Sequence, residues 1–205
     1  MPGNFQEIEE RVAKLESKRL SNPIDSTSQQ VLKTWLYSLT MGIWAAGGFS
    51  VSPRLFHTGG VPAQTSADGS DQTPVATEVY ICEVFVPCNT DVTGVSIFNG
   101  SAVSGNVKVG LADSSGKVIA SSASTAQAGI DSYQRVPFAL KKKIVGPATY
   151  FVLVFIDNAT GRLNAHTFGN FGASKQTSQV YATGFTSITP PTTFTTSLGT
   201  IASLY

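Results

Sequence analysis

Charge is scarce in this 205-residue chain: only 13% of its residues are Asp, Glu, Lys or Arg, about half the share of an ordinary soluble domain. The 14 basic and 13 acidic side chains leave a formal net charge of +1, so no overall field draws the chain to nucleic acid. Histidine is scarcer still. His57 and His166 are far apart in the sequence and far from Cys82 and Cys88, so no zinc-ligand spacing exists and no metal is expected. Six extended residues span roughly 20 Å, whereas bridged Cα atoms sit about 5.5 Å apart. A Cys82–Cys88 bridge would therefore need a tight reversal near Pro87, and two buried free thiols are expected instead. The chain also lacks a leader pattern, because Met1 to Arg19 is polar and charged with no apolar stretch. The one long uncharged run, Thr34 to Pro53, is interrupted by Ser38, Thr40, Gly42, Gly47, Gly48 and Ser50. It reads as a segment buried against protein rather than one inserted in a membrane.

Catalytic signatures are missing as well. No phosphate-loop or dinucleotide fingerprint and no G-x-S-x-G motif occur, so no cofactor is expected. A Ser-His-Asp arrangement needs a histidine held by a carboxylate. His57 falls in an irregular arm, and His166 reads as an ordinary surface or interface residue. A glycosidase needs two facing carboxylates, yet Asp91, Asp113, Asp131 and Asp157 fall at turn-like positions, where Asp bonds its own backbone. Glu83 is an acid inside an apolar strand, expected to point outward, to lie at an edge, or to pair with a neighbouring chain. The chain is read as non-enzymatic. Asn99-Gly100-Ser101 and Asn158-Ala159-Thr160 match the glycosylation sequon but are read as turns, and Lys141-Lys142-Lys143 as a solvated hairpin end.

What is present falls into three parts. In residues 1–21, Phe5, Ile8, Val12 and Leu15 recur in the a/d rhythm of a coiled coil, with charged residues between them. Two heptads are too short to hold a helix alone, so these four residues are expected to bring copies together in a parallel bundle. Residues 22–75 open with the breaker Asn22-Pro23 and continue with a second helix carrying Val31, Leu32, Trp35, Leu36 and Leu39. An extended arm comes next, punctuated by Pro53, Gly59, Gly60, Pro62, Gly69 and Pro74. Trp35, Leu36, Leu39, Trp44, Phe49 and Phe56 are its candidate anchoring residues.

Residues 76–205 read as a β-sandwich. Glu78 to Val86 is apolar on both faces, as in a strand buried between sheets or inside an oligomer. Val107, Val109 and Leu111 alternate with polar or small neighbours, as do Val136, Phe138 and Leu140. Tyr150 to Ile156 is the most hydrophobic run and the expected central strand. Asp113-Ser114-Ser115-Gly116 and Asn158-Ala159-Thr160-Gly161 are expected turns, the first with Gly in the left-handed position. Of the late aromatics, Phe168, Phe171 and Tyr181 are candidate glycan-stacking residues.

The segments Val107 to Ser121, Tyr133 to Phe138 and Gly146 to Val152 resemble a domain common in tailed-bacteriophage structural proteins. The ending Ile188 to Phe194 and Gly199 to Tyr205, and Leu20 to Asp25 after a short coiled coil, fit the same type. That resemblance implies a mainly β protein: a jelly-roll-like sandwich preceded by a short coiled-coil helix and an extended arm. It implies a homotrimeric virion component, a fibre or decoration protein assembled in the host cytoplasm and held by its N-terminal segment to capsid, portal, collar or tail. The alternative is a carbohydrate- or host-receptor-binding module using the late aromatics and the loop around Asp131.

Overall fold

The computed structural model describes residues 56–59, 69–86, 89–167 and 169–205. The expected N-terminal helices lie outside the described residues. So do Phe5, Ile8, Val12, Leu15, Trp35, Leu36, Leu39, Trp44, Phe49, Phe168 and Cys88.

Antiparallel strands dominate what is described. In chain order they are β1 (Phe56–His57), β2 (Ser70–Gln72), β3 (Val79–Val86), β4 (Thr90–Phe98), β5 (Asn106–Ala112) and β6 (Val118–Ser121). After these come β7 (Thr125–Ala126), β8 (Tyr133–Ile144), β9 (Ala148–Ile156), β10 (Leu163–Ala165), β11 (Ala173–Gln176) and β12 (Ala202–Leu204). One sheet has the order β1-β12-β4-β8 and a second β11-β3-β9-β5-β6, with β7 alongside β5; β10 and β2 pair separately. The run from Tyr150 to Ile156 is central in the second sheet, as its hydrophobicity predicts. Gly116 adopts φ +85° in the turn between β5 and β6, where its N–H donates to Asp113 O at 2.9 Å.

The two sheets enclose one core. From the first come Val92, Val95, Ile97, Val136, Phe138, Ala202 and Leu204; from the second, Val84, Val109, Leu111, Val152 and Val154. Each of these side chains larger than Ala202 contributes about 1.5–3 kcal/mol by leaving water. Single bridges join the sheets at both sides: Thr58 to Val84, and Ser122 to Phe138. Such corners leave less backbone open at the sheet margins than two free-edged sheets would.

Both faces of β3 and β9 are apolar for a reason internal to the chain. Tyr80, Val84, Val152 and Val154 face the shared core, while Val79, Ile81, Phe151, Leu153 and Phe155 face outward. The outward set is covered by Ile188, Tyr181 and Phe185 from the segment between β11 and β12. A strand buried on both faces therefore needs no second chain here: the C-terminal segment acts as a strap over the outer face. Its packing requires bare backbone beneath it. A Cβ on Gly110 would come 3.0 Å from the Phe185 ring, and one on Gly116 would lie 2.1 Å from Ile188 O.

The alternation expected through Leu140 fails. Val136 and Phe138 are buried, but Leu140 is 81% exposed. The cause is a register shift between Val92 and Gly94 of β4, which pair with Lys142 and Pro137 of β8. The extra residues of β8 bulge outward and carry Leu140 out of the core. Lys142 and Lys143 still belong to β8, opposite Val92 and Asp91. Lys141 meets Asp91 at 2.9 Å in an exposed pair, a contact of little energetic weight.

Candidate functional site

The strand registers gather three loops at one end of the sheets. Phe98 pairs with Tyr133, and Val107 with Ile156, so residues 99–105, 127–132 and 157–162 emerge together. Two buried amides join them. Gln127 Nε2 donates to Asn99 Oδ1 at 3.0 Å and to Arg162 O at 2.7 Å, while Gln127 Oε1 accepts from Ser104 N–H at 3.0 Å. Asn99 Nδ2 in turn donates to Ala128 O at 2.7 Å and to Gln134 Oε1 at 3.1 Å. Asn158 donates to Ser104 O at 2.8 Å and accepts from the N–H groups of Thr160 and Gly161. The Asp157 carboxyl is held below its ordinary range: burial opposes its charge, but donors from Asn106 and Asn158 outweigh that.

The close fit explains two glycines. A Cβ on Gly161 would lie 2.1 Å from Gln127 Oε1, and Gly105, at φ +64°, would meet Asn158 Nδ2 at 2.1 Å. Ile130 stands 58% exposed at the rim, beside Asp131 with φ +46°. The result is a loop surface fixed before any partner arrives. Asn99 and Asn158 were legible as turn residues; Gln127 carried no signal of its own.

A second polar cluster lies where β1 meets the C-terminal strand. The Thr58 hydroxyl donates to Thr200 O at 2.9 Å, accepts from Ala202 N–H at 3.0 Å, and lies 3.1 Å from His166 Nε2. His166, expected at the surface or an interface, is buried within its own chain, its ring packed edge-on against Phe171 with centroids 5.0 Å apart. Burial pushes its imidazole down to about 4. Cys82 is a buried free thiol, and burial raises its pKa far above the thiol range, which makes it a poor nucleophile.

The structure also places the other candidates. Glu83 is tied within its own chain, where its Oε2 accepts from Gly172 N–H at 2.7 Å. Phe56 is half-buried against the shared core. Phe171 sits between His166 and Phe194, both edge-on. Tyr181 packs on Phe155 with centroids 5.2 Å apart, and the Lys108 ammonium lies 4.6 Å from its ring centre. Phe171 and Tyr181 are brought into packing rather than lined up as a flat platform. Among the described residues no group of three His, Cys, Asp or Glu side chains is placed to hold a metal ion, and no helix is long and apolar enough to cross a membrane.

Compared with protein-family models, curated proteins and solved structures, the chain matches none.

Proposed function

We propose that this chain is a non-enzymatic structural protein of a bacteriophage particle, a trimeric fibre or decoration protein whose sandwich is jelly-roll-like. The supporting observation is the loop end. The Asp157 carboxylate and the amides of Asn99, Gln127 and Asn158 are occupied in holding backbone there, as in a rigid display surface, and no nucleophile, base and orienting group converge. The a/d stripe of Phe5, Ile8, Val12 and Leu15 supports association of copies, and the aromatic arm supports attachment to capsid, portal, collar or tail. The apolar faces of β3 and β9 no longer argue for an oligomer, because the strap covers one of them. The trimer therefore rests on the N-terminal stripe alone.

Light scattering of the full chain is expected to report a trimer, and the double variant Ile8→Asp/Val12→Asp a monomer. A wild-type monomer would overturn the trimer. Quantifying the protein in purified particles tests the rest: hundreds of copies indicate decoration, a few or a dozen indicate collar or tail, and none overturns the virion role. The fixed loop surface also favours a second reading, a receptor-binding module. Saturable glycan or host-cell binding, lost when Ile130 and Asp131 are replaced, would support it.

A further inference from the structure

We propose that the end of the sandwich opposite the loop end, carrying Leu140, Lys142, Lys143 and Val145, is a seat for a neighbouring protein of the particle whose surface there is acidic around an apolar hollow. The inference rests on the virion reading and adds the direction in which the sandwich points. Its basic end is held against the particle, and the rigid loops face away.

The strand registers assemble this end. Thr90 pairs with Ile144, and Val86 with Ala148, so the connections from β3 to β4 and from β8 to β9 close the sheets together. The turn after β8 is braced from beneath. Val145 N–H donates to the Tyr150 hydroxyl at 3.1 Å, and that hydroxyl donates to Val145 O at 2.8 Å. Gly146 N–H donates to Asn89 Oδ1 at 3.0 Å and ties the two connections to each other. The Val145 side chain is nevertheless 63% exposed. It is an apolar group ordered before any partner arrives, so a partner meets little entropy cost in covering it.

The bulge in β8 contributes to the same stretch of chain. Bulges re-aim side chains, and this one turns Leu140 to solvent next to Lys141, Lys142 and Lys143. Asp91, opposite Lys143 in the ladder, is engaged by Lys141. Neither Lys142 nor Lys143 meets a carboxylate among the described residues. Between residues 140 and 145 the chain thus presents two exposed apolar side chains and two ammonium groups without opposite charge beside them.

An acidic protein surface matches that chemistry. An interface with an apolar centre and a carboxylate rim buries Leu140 and Val145 while giving Lys142 and Lys143 the opposite charge they lack. A lipid surface fits less well. The apolar side chains sit on a ladder and a braced turn, and among the described residues no amphipathic α-helix lies beside them to enter the headgroups.

Strand β1 relates this end to the attachment of the chain. Phe56 pairs with Leu204 and His57 with Ser203, while Leu204 and Ala202 pair with Val95 and Ile97 of β4. β4 runs from Thr90 toward the loop end at Phe98, so β1 starts on the Thr90 side. The 55 residues before Phe56 are therefore tethered to the sandwich at its basic end. These residues carry the proposed particle anchor. Once they are fixed, a second contact nearby becomes intramolecular, and a face of a few side chains, too small to hold a partner alone, is occupied by proximity. The loop end, with Ile130 at its rim, is carried outward.

Rebinding of the full chain to particles purified without it tests the seat. In co-sedimentation, Lys142→Gln/Lys143→Gln and Leu140→Asp/Val145→Asp should each raise half-saturation about tenfold or more, while Ile130→Asp at the opposite end should stay within about twofold. Wild-type binding should weaken between roughly 50 mM and 500 mM salt, as the screening length falls from ~14 Å to ~4 Å, and the lysine variant should respond far less. Basic-end variants that are folded by thermal unfolding and bind like wild type would overturn the seat and leave the virion role standing. A wild-type chain that does not bind the particles at all removes the virion role, and the seat with it. If the Leu140/Val145 variant does not fold, the lysine variant and its salt response decide. Co-sedimentation with phosphatidylglycerol vesicles, lost in the lysine variant, would assign the face to a membrane. A light-scattering mass above the trimer, reduced in that variant, would assign it to a second copy; either result overturns the acidic protein partner.

Discussion

Gln127 and Asn99 hold each other by a buried hydrogen bond of 3.0 Å between side-chain amides, and through it three loops at one end of the sheets become a single body. Each amide also bonds backbone of a neighbouring loop, so neither can be removed without orphaning groups that are shielded from water. Gln127→Ala leaves Asn99 Oδ1, Arg162 O and Ser104 N–H without that partner. A loss of about 2–4 kcal/mol is expected, read from the urea midpoint at unchanged slope. A loss below about 0.5 kcal/mol would show that the loops do not depend on this joint.

Two hydroxyl substitutions should behave in opposite ways. Thr58→Val removes a saturated hub and is expected to cost about 2–3 kcal/mol. Ser96 and Ser203 face each other across β4 and β12. Both hydroxyls are buried, with no hydrogen-bond partner among the described residues. Replacing both by Ala should be neutral or stabilising by up to ~1 kcal/mol. Thermal unfolding of the two variants side by side checks the contrast.

The strap depends on one deep contact. Between Thr177 and Ser197, Ile188 is the single buried residue. Ile188→Ala should cost about 2–4 kcal/mol of strap attachment and open residues 177–197 to limited proteolysis while β9 amides stay protected. Gly116→Ala should act in the same direction, since its backbone at φ +85° and the nearby Ile188 O both oppose a Cβ. A strap equally resistant in both variants would show that it is held elsewhere.

A pair of leucines tests the bulge. Leu111 is fully buried in the shared core and Leu140 is 81% exposed. Leu111→Ala is expected to cost about 2–5 kcal/mol, and Leu140→Ala less than about 0.5 kcal/mol. Equal losses in chemical denaturation would mean that Leu140 is inside and the bulge absent.

The strands were legible in the residues alone, because alternation and turn chemistry are local. Val107, Val109 and Leu111 point one way in any extended backbone, and Gly116 accepts a positive φ wherever its turn lies. Tyr150 to Ile156 announced a central strand by being apolar at every position. The same reasoning failed at Leu140, because a bulge depends on the register of a partner strand that the local pattern does not contain. The cover over the second apolar face of β3 and β9 became visible only in the assembled fold. The strap has no periodicity, and hydrophobic burial is non-directional, so a face covered by a distant segment reads the same as one covered by another copy. Likewise Thr58, Gln127 and His166 had no motif to mark them. Their partners lie 142, 28 and 108 residues away, and a hydrogen bond of that reach exists only once the fold has brought its two ends together.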